Sequence, residues 1–511
     1  MRFPVRLLAL LISVAAGAPA TADPGASCAG LASNIIAGAQ IREAHEVPAD
    51  PATGLPAYCE VTARLEPVAG SRIGIVARLP DEWNGKMLGL GGGGWAGSIT
   101  LARATPGIRL RYATIQTDAG HESTGLADTA WQVNPEALID FAWRAIHLAS
   151  QTGKSLIAHY YGRETRRAYF FGCSTGGRQG MLEAQRFPGD YDGIIAGAPV
   201  YTLVTQTSMW LHNQAFIAPD AALDEQKLAW LNAQILARCD AQDGLADGMI
   251  TDPRRCAFNL DGLRCAGIAP GTTDCLSNAQ VAALNRVYGT VRDTRGRVVA
   301  YPLMRGSETG WPRFVATQPI PSDAAPTLGN TGGGLTLLRA VLFGDPFFAL
   351  PHFDPDRDLA RIRRSTFARL YEAIDPNLSA FLGRGGKLLM WHGIDDPGPS
   401  PWATVDYYEA ARKSGKNTGF EASVRLYLAP GVQHCGGGAG ADDFDLLSAL
   451  DDWVSSGTPP GGLIASNRTR NITRPLCAWP ALPHYRAGDP ANAASFECAV
   501  PGGLTTRKAR E

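Results

Sequence analysis

The chain has 511 residues, 45% of them hydrophobic and 19% charged, with a formal net charge of −1. That much apolar material supports a large core and more than one domain. The near-neutral balance leaves no electrostatic footprint for nucleic acid or an anionic membrane surface.

The opening segment, MRFPVRLLALLISVAAGAPATADPG, sets Arg2 and Arg6 before an apolar run from Leu7 to Ala18 and reaches Ala20-Thr21-Ala22. The run falls short of the roughly 20 residues that span a bilayer. Basic start, apolar stretch and small-residue site together predict a secretory signal over residues 1–22, hence a secreted or periplasmic protein. No later segment reads as membrane-spanning. Ten cysteines in an exported chain are expected to form up to five disulfides. Local grouping suggests Cys28 with Cys59, Cys239 with Cys256, Cys265 with Cys275, and Cys477 with Cys498. Cys173 and Cys435 then remain as a long-range pair; free buried thiols are the alternative.

Within a first core part over residues 23–200, residues 71–200 alternate short apolar runs with helical stretches. RIGIVARLP, GKMLGLGG, YATIQTD and RAYFFG read as strands, and YDGIIAGAP continues the series. NPEALIDFAWRAIHLAS reads as a helix with Asn134 as N-cap and Pro135 at its first position. This alternation predicts an α/β fold with a mostly parallel sheet covered on both faces. From residue 201 to 375 the rhythm fades and four of the ten cysteines appear, which reads as a large inserted lid domain. The sheet is expected to resume over residues 376–511, at GKLLMWHG and SVRLYLAPG, with helices over Trp402–Ala411 and Asp443–Val454.

GCSTGG, residues 172–177, has the Gly-x-Ser-x-Gly spacing of a nucleophile elbow, which holds Ser174 exposed on a sharp strand-to-helix turn. Such a serine needs a base and an orienting carboxylate, expected downstream after sheet strands in the order carboxylate, then histidine. Asp395 and Asp396 follow one strand, and spacing alone does not separate them. His434 follows another; His484, the competitor, lies in a Pro-rich tail with no strand expected before it. Cys173 precedes Ser174 as Cys435 follows His434. A bridge between them brings their Cα atoms within roughly 4.4–6.8 Å and so draws serine and imidazole into one volume.

The Cys-Ser elbow, the Asp after a strand and the late His-Cys pair together resemble the tannase and feruloyl esterase family of α/β-hydrolases, over nearly the whole mature chain. The resemblance implies an α/β-hydrolase fold with a large inserted lid and a serine esterase of aromatic acids. Its Asp lies four residues after the histidine of a His-Gly pair, which selects Asp396 after His392-Gly393. GLGGGGWAG matches the family's oxyanion loop, with Gly93 or Gly94 as one donor and the Thr175 N–H as the other; a plain flexible turn is the alternative. CDAQDGLADGMITDPRRC matches its calcium loop, implying Ca2+ held by Asp240, Asp243, Asp247 and the carbonyls of Leu245 and Met249. A solvated acidic turn is the alternative there. His392, Arg339 and Trp95 are candidate substrate contacts, each with a purely structural alternative.

The implied substrates are small aromatic esters or plant cell-wall and polyphenol esters, with feruloyl esterase-like activity as the default and oligomeric state unknown. A terephthalate half-ester is the alternative substrate the resemblance implies, and Thr175, standing where some relatives carry an acidic residue, weakens any specific claim for it. The rivals are a peptidase or lipase on the same scaffold and a non-catalytic binding protein that kept it. Asn467-Arg-Thr and Asn471-Ile-Thr are formal glycosylation acceptors.

Overall fold

The computed structural model describes residues 26–32, 34–97, 99–123, 125–265, 274–415 and 419–502. The signal expected over residues 1–22 lies outside them.

Ten strands form the central sheet: β1 (Ile35–Ile36), β2 (Ala39–Val47), β3 (Tyr58–Leu65), β4 (Ile73–Pro80), β5 (Lys86–Leu90), β6 (Ala113–Thr117), β7 (Arg167–Cys173), β8 (Gly193–Gly197), β9 (Lys387–Gly393) and β10 (Val424–Ala429). Their spatial order is β1-β2-β3-β4-β6-β5-β7-β8-β9-β10. From β6 onward every pairing is parallel. Across four strands Phe170 pairs with Ile194, Ile194 with Leu388, and Leu388 with Val424, all 0% exposed. Continuous apolar strands of this kind are buried on both faces, which is why they were legible as short runs of β-branched and aromatic residues. The meander β2–β3 adds strands upstream of those expected, and their half-buried alternation carries less apolar signal.

Asn134 Oδ1 accepts the Glu136 N–H at 3.0 Å and caps the expected helix. A π-turn at Asp140–Arg144 interrupts it before α2 (Ala145–Tyr161). Carbonyls in the turn find a partner in Arg178, whose guanidinium donates to Ala142 O at 2.7 Å and Phe141 O at 3.2 Å. Arg178 lies in α3 (Thr175–Arg186), the helix of the elbow, and also donates to Tyr371 O of the insertion at 2.9 Å. One buried cation therefore ties elbow, π-turn and insertion together.

The chain leaves the sheet at Gly197 and re-enters it at Lys387. Between them lie α4 (Val204–Phe216), further helices at Glu225–Cys239, Asn278–Val287, Pro355–Arg364 and Thr366–Tyr371, and a short ribbon of Val291–Arg292 with Val298–Ala300. One cluster, around Trp311, Phe216 and Leu284, lies within the insertion. Another joins Leu342, Phe367 and Tyr371 of the insertion to Trp95 and Phe141.

After β9, α5 (Pro401–Ser414) begins at the cap Ser400, close to expectation. The last expected helix, α6 (Leu446–Ser456), starts three residues late because Asp445 caps it by accepting the Ser448 N–H at 3.0 Å. The C-terminal tail, read as strandless, instead carries two antiparallel hairpins, Leu463–Asn467 with Ile472–Leu476 and Leu482–Tyr485 with Phe496–Ala499. The Cys477–Cys498 bridge fastens them, and their prolines sit in two-stranded ribbons where a missing N–H costs little.

Candidate active site

β7 runs into α3 through Ser174, which takes φ 63° and ψ −123°, a conformation an L-residue holds at a cost of about 1–3 kcal/mol. The surroundings impose it: Ser174 N–H donates to Gly197 O at 3.0 Å, and Ser174 O accepts from Arg178 N at 3.0 Å and Val200 N at 3.3 Å. The turn is too tight for side chains; a Cβ on Gly172 would fall 2.4 Å from the Gly176 carbonyl carbon. That contact is the physical content of the Gly-x-Ser-x-Gly spacing.

β10 ends at Ala429 and leads to His434, 4% exposed, followed by Cys435 at φ 61°. The Cys173–Cys435 disulfide is formed, with Cα atoms 6.0 Å apart at a sequence separation of 262. The four locally paired disulfides are formed as well. His434 Nδ1 lies 2.6 Å from Asp396 Oδ2. Burial alone pushes the Asp396 pKa up, but the charge of His434 and the hydrogen bonds from His392 and His434 hold it at about 2. Asp395 makes no such contact: it is buried, its Oδ1 has no partner among the described residues, and burial and the charge of Glu308 push its pKa well up. His484 lies on the hairpin strand Leu482–Tyr485 and borders a different cavity, beside Asp240 and Asp243.

Ser174 and His434 line one cavity of about 1020 Å³ at the carboxyl ends of β5, β7 and β10. Ligands bind at this edge in open α/β sheets generally. Among the described residues no hydrogen bond joins Ser174 Oγ to His434, as is common before substrate binds. Gly93 and Gly94 line the same cavity. Among the described residues the N–H groups of Gly94 and Thr175 donate to no acceptor, while Gly93 is bridged to Ala96. Thr175 Oγ1 donates to Gly94 O at 2.7 Å, holding the glycine loop against the elbow. A serine hydroxyl, an imidazole with an ionised carboxylate behind it, and spare backbone donors form the set that covalent acyl transfer needs.

The three candidate substrate contacts stand elsewhere. His392 is 0% exposed and sits behind Asp396, with Nε2 3.0 Å from Asp396 Oδ2, rather than on the cavity wall. Trp95 packs against Phe141 and Tyr371 and donates Nε1–H to Gly333 O at 2.9 Å. Arg339 is satisfied by the Thr336 and Phe348 carbonyls at 2.8 and 3.4 Å. The cavity's cations are instead Arg103 of α1 (Leu101–Arg109) and Arg313 of the insertion. Arg103 donates to Gly91 O at 2.7 Å, and Arg313 to His434 O at 3.2 Å. Phe314 meets the His434 ring edge-to-face, centroids 4.7 Å apart. Leu90, Leu126, Leu328, Leu337 and Trp391 complete an apolar lining. No local motif marks these residues, because the walls converge from distant parts of the chain.

The acidic loop is pinned by Cys239–Cys256. Asp240 turns inward, accepting the N–H groups of Asp247, Gly248 and Met249 at 3.1, 2.7 and 3.3 Å. Asp247 pairs with Arg474 at 2.6 Å through Oδ2, while its buried Oδ1 has no partner among the described residues. The Leu245 and Met249 carbonyls accept no hydrogen bond among the described residues. Burial, with neighbouring carboxylates, pushes the Asp243 and Asp247 pKa values up. Asp243 accepts the Leu245 N–H at 3.1 Å and the Thr251 hydroxyl, so Asp247 Oδ1 and the two carbonyls are the oxygens left over for a hard cation. Asn467, a formal glycosylation acceptor, is buried and donates to Gly440 O at 2.7 Å.

The family profile described as "Tannase and feruloyl esterase" matches residues 59–499. Mono(2-hydroxyethyl) terephthalate hydrolase of Piscinibacter sakaiensis is 32% identical, over 88% of this chain and 86% of its own. A probable feruloyl esterase of Arthroderma benhamiae is 34% identical, over 82% of this chain and 81% of its own. Among solved structures, feruloyl esterase B from Aspergillus oryzae shares the fold, with a TM-score of 0.80 at 24% identity, covering 90% of this chain and 97% of that one.

Proposed function

The chain belongs to the tannase and feruloyl esterase family and is a carboxylic ester hydrolase; from that premise we propose an exported serine esterase of aromatic acids working through Ser174, His434 and Asp396. One observation carries the reading: a strained elbow serine and an Asp-backed histidine face one cavity and are bridged by the disulfide between their neighbours.

His434 Nε2 takes the Ser174 proton as Oγ attacks the ester carbonyl, while Asp396 orients the ring and stabilises its charged form. The oxyanion rests on the N–H of Thr175 and of Gly93 or Gly94. The imidazolium gives its proton to the leaving alcohol, and water, activated by the same imidazole, releases the acid. The names of the two relatives support an aromatic acyl group, and Phe314, Trp391 and the leucines give the cavity an apolar wall suited to one. Feruloyl esterase-like or tannase-like activity is the default reading, with a terephthalate half-ester as the alternative.

Calcium belongs to the same reading. Asp240, Asp243, Asp247 and the Leu245 and Met249 carbonyls would hold it, and it would supply structural cross-linking rather than chemistry, since the loop lies outside the cavity. Five disulfides and the signal-like segment support export. The insertion is the lid, its Arg313 and Phe314 reaching the His434 loop.

The test is hydrolysis of methyl ferulate, methyl gallate, chlorogenate and the terephthalate half-ester. Turnover of the first three ahead of the fourth is expected. Resistance of all four, with cleavage of a peptide or triglyceride, overturns the substrate class.

A further inference from the structure

His392 is 0% exposed and touches no part of the cavity, yet it faces the carboxylate behind His434. Its Nε2 sees two acceptors, Asp396 Oδ2 at 3.0 Å and Pro399 O at 2.9 Å. Two acceptors on one ring nitrogen require that nitrogen to carry the proton. Nδ1 lies 2.8 Å from the hydroxyl of Thr404, which is 0% exposed in the first turn of α5 and can donate to an unprotonated nitrogen. Strand β9 and helix α5 thus fix the ring from both ends.

Asp396 receives three donors: His434 Nδ1 and His392 Nε2 on Oδ2, and the Gly398 N–H on Oδ1 at 2.8 Å. We propose that His392 is a positioning residue for ester hydrolysis, holding Asp396 Oδ2 against His434 Nδ1 from a place the substrate does not reach. The proposal rests on the assignment of Ser174, His434 and Asp396 given above. Without the His392 N–H, Oδ2 keeps His434 as its single donor, and the carboxylate is held only there and by the Gly398 N–H on Oδ1. It also becomes a stronger acceptor, which stabilises the His434 imidazolium. The other titratable or charged groups nearby are Asp395, whose neighbour is Glu308, Tyr201 beside Thr404, and Arg313 on the His434 carbonyl. Tyr301, and His212 of α4, border a small cavity beside Asp396, His212 being pushed down to about 4 by burial.

The experiment is steady-state kinetics against pH for His392→Ala, His392→Gln and Ser174→Ala. In His392→Ala kcat is expected to fall about 100-fold, the cost of a small misplacement of a catalytic group. KM stays unchanged and the acid limb of kcat/KM moves up. His392→Gln recovers most of the rate, because its amide N–H₂ can serve both Asp396 and Pro399 O. Unchanged kinetics in His392→Ala, a raised KM with kcat intact, or no rescue by glutamine would overturn the proposal. Retained turnover in Ser174→Ala defeats the underlying assignment instead, whatever His392 does. If His392→Ala fails to fold, ¹⁵N-histidine NMR of the unaltered enzyme decides: protonated Nε2 with bare Nδ1 supports the role, and the opposite tautomer excludes it.

Discussion

Asp396 is a carboxylate with no exposed side-chain surface, and only its donors let it stay ionised there. Its folded pKa of about 2 lies below the ordinary 3.8. A depressed acid pKa contributes stability that is present above the unfolded value and lost as pH falls through the folded one. The contribution is about 2 kcal/mol, taken from the shift between those two pKa values. Thermal melting between pH 5 and pH 2 should therefore fall less steeply in Asp396→Asn than in the native enzyme; parallel curves would remove Asp396 as the paired group. Ser174 and His434 were legible because each is flanked by glycines and a cysteine in a pattern with a mechanical cause. Asp396 needed the family spacing, since Asp395 beside it has the same chemistry and only tertiary structure separates them. His392 was legible as either a pocket residue or a structural strand-end histidine, and sequence could not choose because burial behind a strand end leaves no mark in it.

Among the elements, parallel strands buried on both faces announced themselves, while the outer meander and the C-terminal hairpins did not. The π-turn at Asp140–Arg144 had no signature in sequence, because its cause is Arg178, more than thirty positions on. The clustered aspartates of the acidic loop were legible in sequence, but the oxygens a cation would need, Asp247 Oδ1 and two carbonyls, were not. Chelation should lower the melting temperature by several degrees, since a ligand at a hundredfold excess over Kd stabilises by about 3 kcal/mol. The acid limb of kcat/KM should stay in place. Full stability in a preparation free of calcium by elemental analysis contradicts the site.

At the scale of the molecule, two halves of a sheet separated by the insertion must come together before serine and imidazole can cooperate. The Cys173–Cys435 bridge closes that loop of 262 residues. On the chain-entropy view the bridge is worth about 5 kcal/mol as an upper figure. Selective reduction should lower turnover at temperatures where the fold persists by circular dichroism; full activity with that bond open, verified by thiol labelling, argues against the role of the bridge.

The central claim is that Ser174 carries the acyl group during ester cleavage. Acid quenching of the enzyme during turnover of a ferulate ester, followed by peptide mass spectrometry, reads this directly. A feruloyl adduct is expected on the peptide bearing Ser174 and on no other, absent in Ser174→Ala. An adduct on another residue, or steady turnover by Ser174→Ala, contradicts it.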